Sequence, residues 1–420
     1  MPKKTKIIFI TTFILVLLVL IFFIFFKKSP TKKNINPNTG KPFTSIGTNT
    51  KTNNSNGSSG INTNNNNNIN WKNGTPNQIS KFFQITDFAI AGAGFTEEMK
   101  PVLNTVNTDN TQTTPKLESV PIIRYVKRQT GHIYEMNLNT KKVNKVSNST
   151  IPSVHEVLFD SSAKNFIYRY VSTENNSIAS FITSLGGSKG EFLPFNITDV
   201  SLSLDKNSFF YLIKNSSGVS GFIRSFTDNK TTKVFKSSFS DWLSQWISNN
   251  KVYLTTKPSW RINGSLFSLN TKTGSLSKVF GGIKGLTTLA NSNGSVVLYS
   301  DSLNIGPKLF LLNTKDHSIV NLDSYGLAEK CIWGKNNLYI YCGIPNTIVG
   351  TNYPDDWYQG LQSFDDYFVK INTKTKEIST IANSLNETPV DATHLILNKD
   401  NTLLFFTNKK DSTLWSLNIE

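Results

Sequence analysis

Chemistry-bearing residues are scarce in this chain: its 420 residues include two cysteines and four histidines. His132, His155, His317 and His394 stand apart, without a second His or Cys at ligand spacing, so each reads as a turn or strand residue. No G-x-S-x-G elbow, H-E-x-x-H pair, phosphate-cradling glycine loop or G-x-G-x-x-G occurs. Hydrolase and nucleotide chemistry thereby lose their usual signatures. No catalytic residue, metal ligand or cofactor is assigned.

Acidic residues are missing from the first 77 positions, which carry ten lysines. The other 34 basic and 28 acidic residues leave residues 78–420 at +6 of the chain's net +16. Only five of the 44 basic residues are arginine, and none cluster with interleaved aromatics, which argues against a nucleic-acid partner.

What is present at the start is a run of twenty uncharged residues, 7–26, framed by Lys3, Lys4 and Lys6 and by Lys27 and Lys28. A helix of that length spans about 30 Å, the hydrocarbon thickness of a bilayer. No A-x-A cleavage pattern follows, so residues 1–28 read as an uncleaved transmembrane signal-anchor whose lysines meet anionic lipid. The flanking lysines balance, so the positive-inside rule does not choose an orientation. The short leading segment favours a cytoplasmic N-terminus and an exported body, on a bacterial cytoplasmic membrane. Residues 29–77, rich in Asn, Ser, Thr and Gly, read as a disordered linker with a reach of about 40 Å.

The remainder, 78–420, repeats. Asn-Thr-Lys follows an apolar run at Asn139, Asn270, Asn313 and Asn372, and looser copies end at Ser184, Asp228 and Asn418. These seven markers lie mostly 43 to 46 residues apart, with 59 between Asn313 and Asn372. Each unit offers four short strand-like segments, the period of a β-propeller blade. Asn at a strand end can accept from the backbone two residues on, and Gly274 can take the positive φ of the following turn. The chain ends after three strands of the seventh unit. Residues 79–83 are therefore expected to supply its outer strand, ahead of a first inner strand at 86–92, which closes the ring without a free sheet edge. The fold class is all-β: a seven-bladed propeller of four-stranded blades, after one membrane helix and a linker.

The turn Ser203-Leu204-Asp205-Lys206-Asn207 and its counterpart Asn398-Lys399-Asp400-Asn401 resemble the Ser-Pro-Asp-Gly turn of TolB-type propeller repeats. Strand order, period and closure resemble WD40-like propellers. The segment 123–140, IRYVKRQTGHIYEMNLNT, also resembles an uncharacterised group of membrane-anchored bacterial propellers. These likenesses imply fold and place, and carry over no catalytic residue. The Ser-x-Asp-x-Gly-x-Thr-Trp boxes of sialidase-type propellers are absent.

Two insertions break the period. Residues 95–119, rich in Thr and Asn, read as a mobile excursion in the first blade. Residues 343–363 of the sixth blade bring Asp355, Asp356, Trp357 and Tyr358 to the face that receives Trp242, Trp260 and Arg261 from the fourth. Trp, Tyr and Arg anchor interfaces; alternatively the aromatics fold inward and pin the loop. Arg124-Tyr125 recurs as Arg169-Tyr170 in the next blade, either as structural ion pairing or as an anion clamp. Cys331 and Cys342, placed diagonally across a hairpin turning at 334–337, form a disulfide or remain two buried thiols. The expected role is an anchored scaffold binding an envelope protein, peptide or glycan; the rival is a glycan lyase or hydrolase working at the central channel.

Overall fold

The repeat resolves into seven antiparallel sheets of four strands, a seven-bladed β-propeller. The computed structural model describes residues 81–102, 116–172, 177–187, 190–303, 305–383 and 388–420. The expected anchor at 7–26, its lipid contact and the linker at 29–77 lie outside them. Among the described residues no helix is long and apolar enough to cross a membrane.

Second strands explain how the blades stack. Phe209, Phe210, Tyr211 and Leu212 are consecutive and all buried. Successive strand side chains point to opposite faces, so an unbroken apolar run means that both faces are covered. Phe209 joins a cluster with Ile167 of the preceding blade, whereas Phe210 joins one with Leu254 of the following blade. The same arrangement recurs at all seven junctions, including the one between blades seven and one that holds Phe405 and Ile123. First strands of most adjacent blades touch, and they line the channel. At Gly92 the approach is so close that a Cβ would fall 2.2 Å from the Val157 carbonyl oxygen.

Asparagine shapes the turns between third and fourth strands. Asn270 Oδ1 accepts from the backbone of Lys272 and Thr273, as Asn372 does from Lys374 and Thr375. In blade one the accepting residue is Asn137, two positions before the repeat marker Asn139. The left-handed position four residues on is Gly274 in blade four, but Lys141, His317 and Lys376 in blades one, five and six. His317 is therefore a turn residue.

Closure occurs through Phe82–Gln84, which pairs with Leu414–Asn418 in the register Phe82↔Leu417. The first inner strand departs from expectation: it runs from Ile90 to Val102, not over 86–92. Thr86 instead turns the chain, donating from Oγ1 to the Phe88 carbonyl and accepting from the Leu414 amide. The two described ends of the excursion expected at 95–119, residues 95–102 and 116–119, form a ribbon, because Ile90–Val102 pairs with Lys116–Lys127. Charge complementarity across it, Lys100 opposite Glu118, suits pairing. Residues 103–115 lie outside the described set. Cys331 and Cys342 sit directly opposite one another, not diagonally, and are joined as a disulfide with a Cα separation of 4.1 Å.

Candidate functional site

The blade-six insertion is tied down from three other blades. Asp355, in the single-turn helix Asp355–Tyr358, accepts from the Trp260 amide of blade four at 2.7 Å. Ser302 of blade five donates to the Tyr353 carbonyl, and Lys409 of blade seven donates to the Trp357 carbonyl at 2.7 Å. The segment, read from sequence either as a binding loop or as one pinned by inward aromatics, is a cap fastened at three points.

Trp357 turns inward, following the loop-pinning alternative. It is buried with Leu327, Tyr353 and Phe364, and its Nε1 donates to both Asp391 oxygens at 3.1 and 3.0 Å. Beneath it, Lys330 has no solvent exposure; its ammonium contacts Asp391 and lies 2.8 Å from Asp366. The same ammonium stands 5.4 Å from the Trp357 ring centre and 5.2 Å from that of Phe364. Burial raises the Asp366 pKa to about 6, against the pull of Lys330.

Trp242 does not project either. Its ring is buried among Phe235, Phe239 and Phe267, and its Nε1 donates to the Phe239 carbonyl at 2.9 Å. The apolar junction of blades three and four claims it. Surface character remains with half-buried Trp260, exposed Arg261, whose guanidinium stacks 4.5 Å over the Trp260 ring, and exposed Tyr358. Asp356 completes the acidic first turn of the helix.

Arg124 and Arg169 are ion-paired within their own blades. Arg124 bonds Glu98 at 2.6 Å and Glu135 at 2.9 Å, while reaching the Ser162 and Ala163 carbonyls of blade two. Arg169 bonds Glu156 at 2.6 Å and reaches the Ile197 carbonyl of blade three. Tyr125 is buried and stacked on Tyr134, whereas Tyr170 is half-buried.

The channel mouth brings together residues that the sequence reading missed. The third residue of the inner strand is Glu156 in blade two, Asp199 in three, Ser244 in four and His394 in seven. Asp199 accepts from the Ser244 amide at 2.7 Å and from its hydroxyl at 2.5 Å. Glu329, in the short turn between blades five and six, accepts from the Tyr358 hydroxyl at 2.5 Å. Both carboxyls line a cavity of about 330 Å³ with Ser244, Gln245, Thr255 and Thr288.

Burial raises Asp199 to about 6, against its bonds from Ser244, and raises Glu329 to about 7, against the bond from Tyr358 and reinforced by Asp199. Burial lowers the pKa of both His155 and His394, with Glu156 opposing. Near neutral pH this cavity holds carboxyls able to donate when protonated and accept when ionised. Recurrence of polar residues at the third inner-strand position was the available signal. Among the described residues no group of three or more His, Cys, Asp or Glu is arranged to hold a metal.

No family model matches the chain, and no curated protein does. The solved structures it resembles include TolB from Acinetobacter baumannii, at a TM-score of 0.41 and 8% identity over 78% of this chain and 80% of that one. They also include oligogalacturonate lyase from Vibrio parahaemolyticus, at 0.46 and 10%, over 79% and 99%. An oligogalacturonate lyase in complex with manganese reaches 0.50 and 9%, again over 79% and 99%. The last supports the propeller fold alone.

Proposed function

We propose that the chain is a membrane-anchored, extracytoplasmic binding module whose propeller recognises an envelope protein, peptide or glycan. The recognition surface is the capped face, with Trp260, Arg261 and Tyr358 beside the Asp199 and Glu329 cavity. The observation that carries this reading is the attachment of the blade-six insertion to blades four, five and seven, which presents those side chains on a fixed platform. The disulfide supports an oxidising compartment, and hence an exported propeller.

Crosslinking in intact membranes, followed by isolation of the full chain, tests it. A partner should copurify with the wild type and be lost on combining Trp260→Ala with Arg261→Ala, while thermal unfolding shifts little. Unchanged recovery overturns the assignment. Protease shaving of sealed cells should remove the propeller.

A second reading, a glycan lyase or hydrolase, is favoured by the two carboxyls of raised pKa in one cavity. It requires turnover of a glycan that Glu329→Gln abolishes without loss of binding.

A further inference from the structure

Blade two is incomplete at its outer edge. Its fourth strand is only Glu191–Phe192, whereas those of blades three and four run for seven and nine residues. It pairs with Phe181 and Ile182 of the third strand, and the Leu193 amide adds one bond to the Ser180 carbonyl. Ile178, two residues earlier, directs its backbone groups the same way, with no strand partner there among the described residues. An open strand edge beside the channel face is a template for main-chain pairing.

Two cavities flank that edge. On one side, about 490 Å³ is walled by Tyr170, Val171, Phe192 and Phe195, and the two phenylalanines are 65% and 62% exposed. On the other, about 630 Å³ opens where blades two, three and four meet. Among the described residues its charged walls are Arg169, already neutralised by Glu156, and Lys214 and Lys257 against one carboxylate, Asp241. Lys214 reaches Asp241 only at 3.7 Å, with both side chains more than half exposed, and Lys257 has no ion pair among the described residues. The cavity therefore carries surplus positive charge beside an apolar shelf.

We propose that this junction docks an acidic, apolar segment of a partner protein in extended conformation. Its carboxylates meet Lys214 and Lys257, an apolar side chain covers Phe192 and Phe195, and its main chain pairs along Ile178. The charge and the open edge together favour a peptide, since a glycan would satisfy the lysines and leave the edge unpaired. The inference rests on the binding-module reading, but on blades two to four and not on the cap.

Fluorescence anisotropy with the full chain in detergent tests it, using a labelled Glu-Glu-Leu-Phe-Glu-Leu peptide, its Gln-for-Glu counterpart and an anionic oligosaccharide. The acidic peptide should bind, and binding should weaken at least about tenfold with Gln for Glu, with Lys214→Glu plus Lys257→Glu, or with Phe195→Ala. Both lysines are exposed, so an unchanged thermal midpoint certifies the fold of the double variant. Trp260→Ala should leave peptide binding intact, which separates this site from the capped face. Absence of peptide binding, equal binding of the Gln peptide, or insensitivity to the lysine variant overturns the proposal. Stronger lysine-dependent binding of the oligosaccharide overturns the peptide assignment.

Discussion

Lys330 and Asp391, 61 residues apart, meet as an ion pair with no solvent exposure on either side chain. Asp391 also receives the Trp357 indole, the Ser363 hydroxyl and the Phe364 amide, so one carboxylate fastens the blade-six cap to blade seven. Removing Lys330 strands two buried carboxylates. Lys330→Met should cost about 3–5 kcal/mol, read by urea unfolding, because a broken buried pair leaves uncompensated charge. A loss below about 1 kcal/mol would contradict this role.

Trp357→Phe keeps the ring in its cluster but removes the donor to Asp391. A loss of about 1.5–3 kcal/mol is expected from the lost hydrogen bond to a charged group, although Asp391 keeps Lys330, Ser363 and Phe364. Trp260→Ala, at the half-buried surface, should cost less. The reverse order in thermal unfolding would mean that the cap is held from the Trp260 side.

Stability should fall as pH rises through the raised carboxyl values. Burial holds Asp199 and Asp366 at about 6 and Glu329 at about 7, against ordinary values of 3.8 and 4.5. Between those limits the folded chain binds more protons than the unfolded one, so this contribution is full at low pH and lost by about pH 7. Glu329→Gln removes one such charge. Its stability should decline less between about pH 4.5 and 7 than the wild type's, by an amount on the order of 1–3 kcal/mol. Identical profiles in urea unfolding would refute the assignment.

Arg124 joins two carboxylates of its blade to two carbonyls of the next, so charge alone should not replace it. Arg124→Lys is expected to lose about 1–3 kcal/mol, since an ammonium cannot reproduce the planar fork. Full retention of stability in chemical denaturation would show that the fork is unnecessary.

His317 occupies, with exposed side chain, a left-handed turn position at φ 58° where blade four has glycine. His317→Gly should stabilise the chain by about 0.5–1 kcal/mol, the relief of Cβ strain exceeding the added backbone entropy of the unfolded state. A destabilised variant would mean that the imidazole has a structural role.

Blade number and turn chemistry were legible because they are local properties that recur along the chain. Asn270 and Asn372 work as turn acceptors from their own neighbourhood, and the missing fourth strand of the last blade was identifiable by counting. The site was far less legible. Trp242 and Trp357 have the composition of interface anchors, yet each ring is also claimed by residues distant in sequence: Phe267 for Trp242, Leu327 and Asp391 for Trp357. Periodicity places a residue on a strand or loop; what packs above it comes from another blade.

By itself the sequence determined a seven-unit β array with an N-terminal closing strand, because strand alternation and turn hydrogen bonds act over a few residues. Only the tertiary structure decided that Asp199 and Glu329 share a cavity, that Lys330 lies under Trp357, and that the sixth insertion is a cap. Those outcomes depend on curvature of the ring, which brings the same strand position of distant blades to one channel. They depend also on desolvation, which gives ordinary carboxyls and a lone lysine properties that no local pattern encodes.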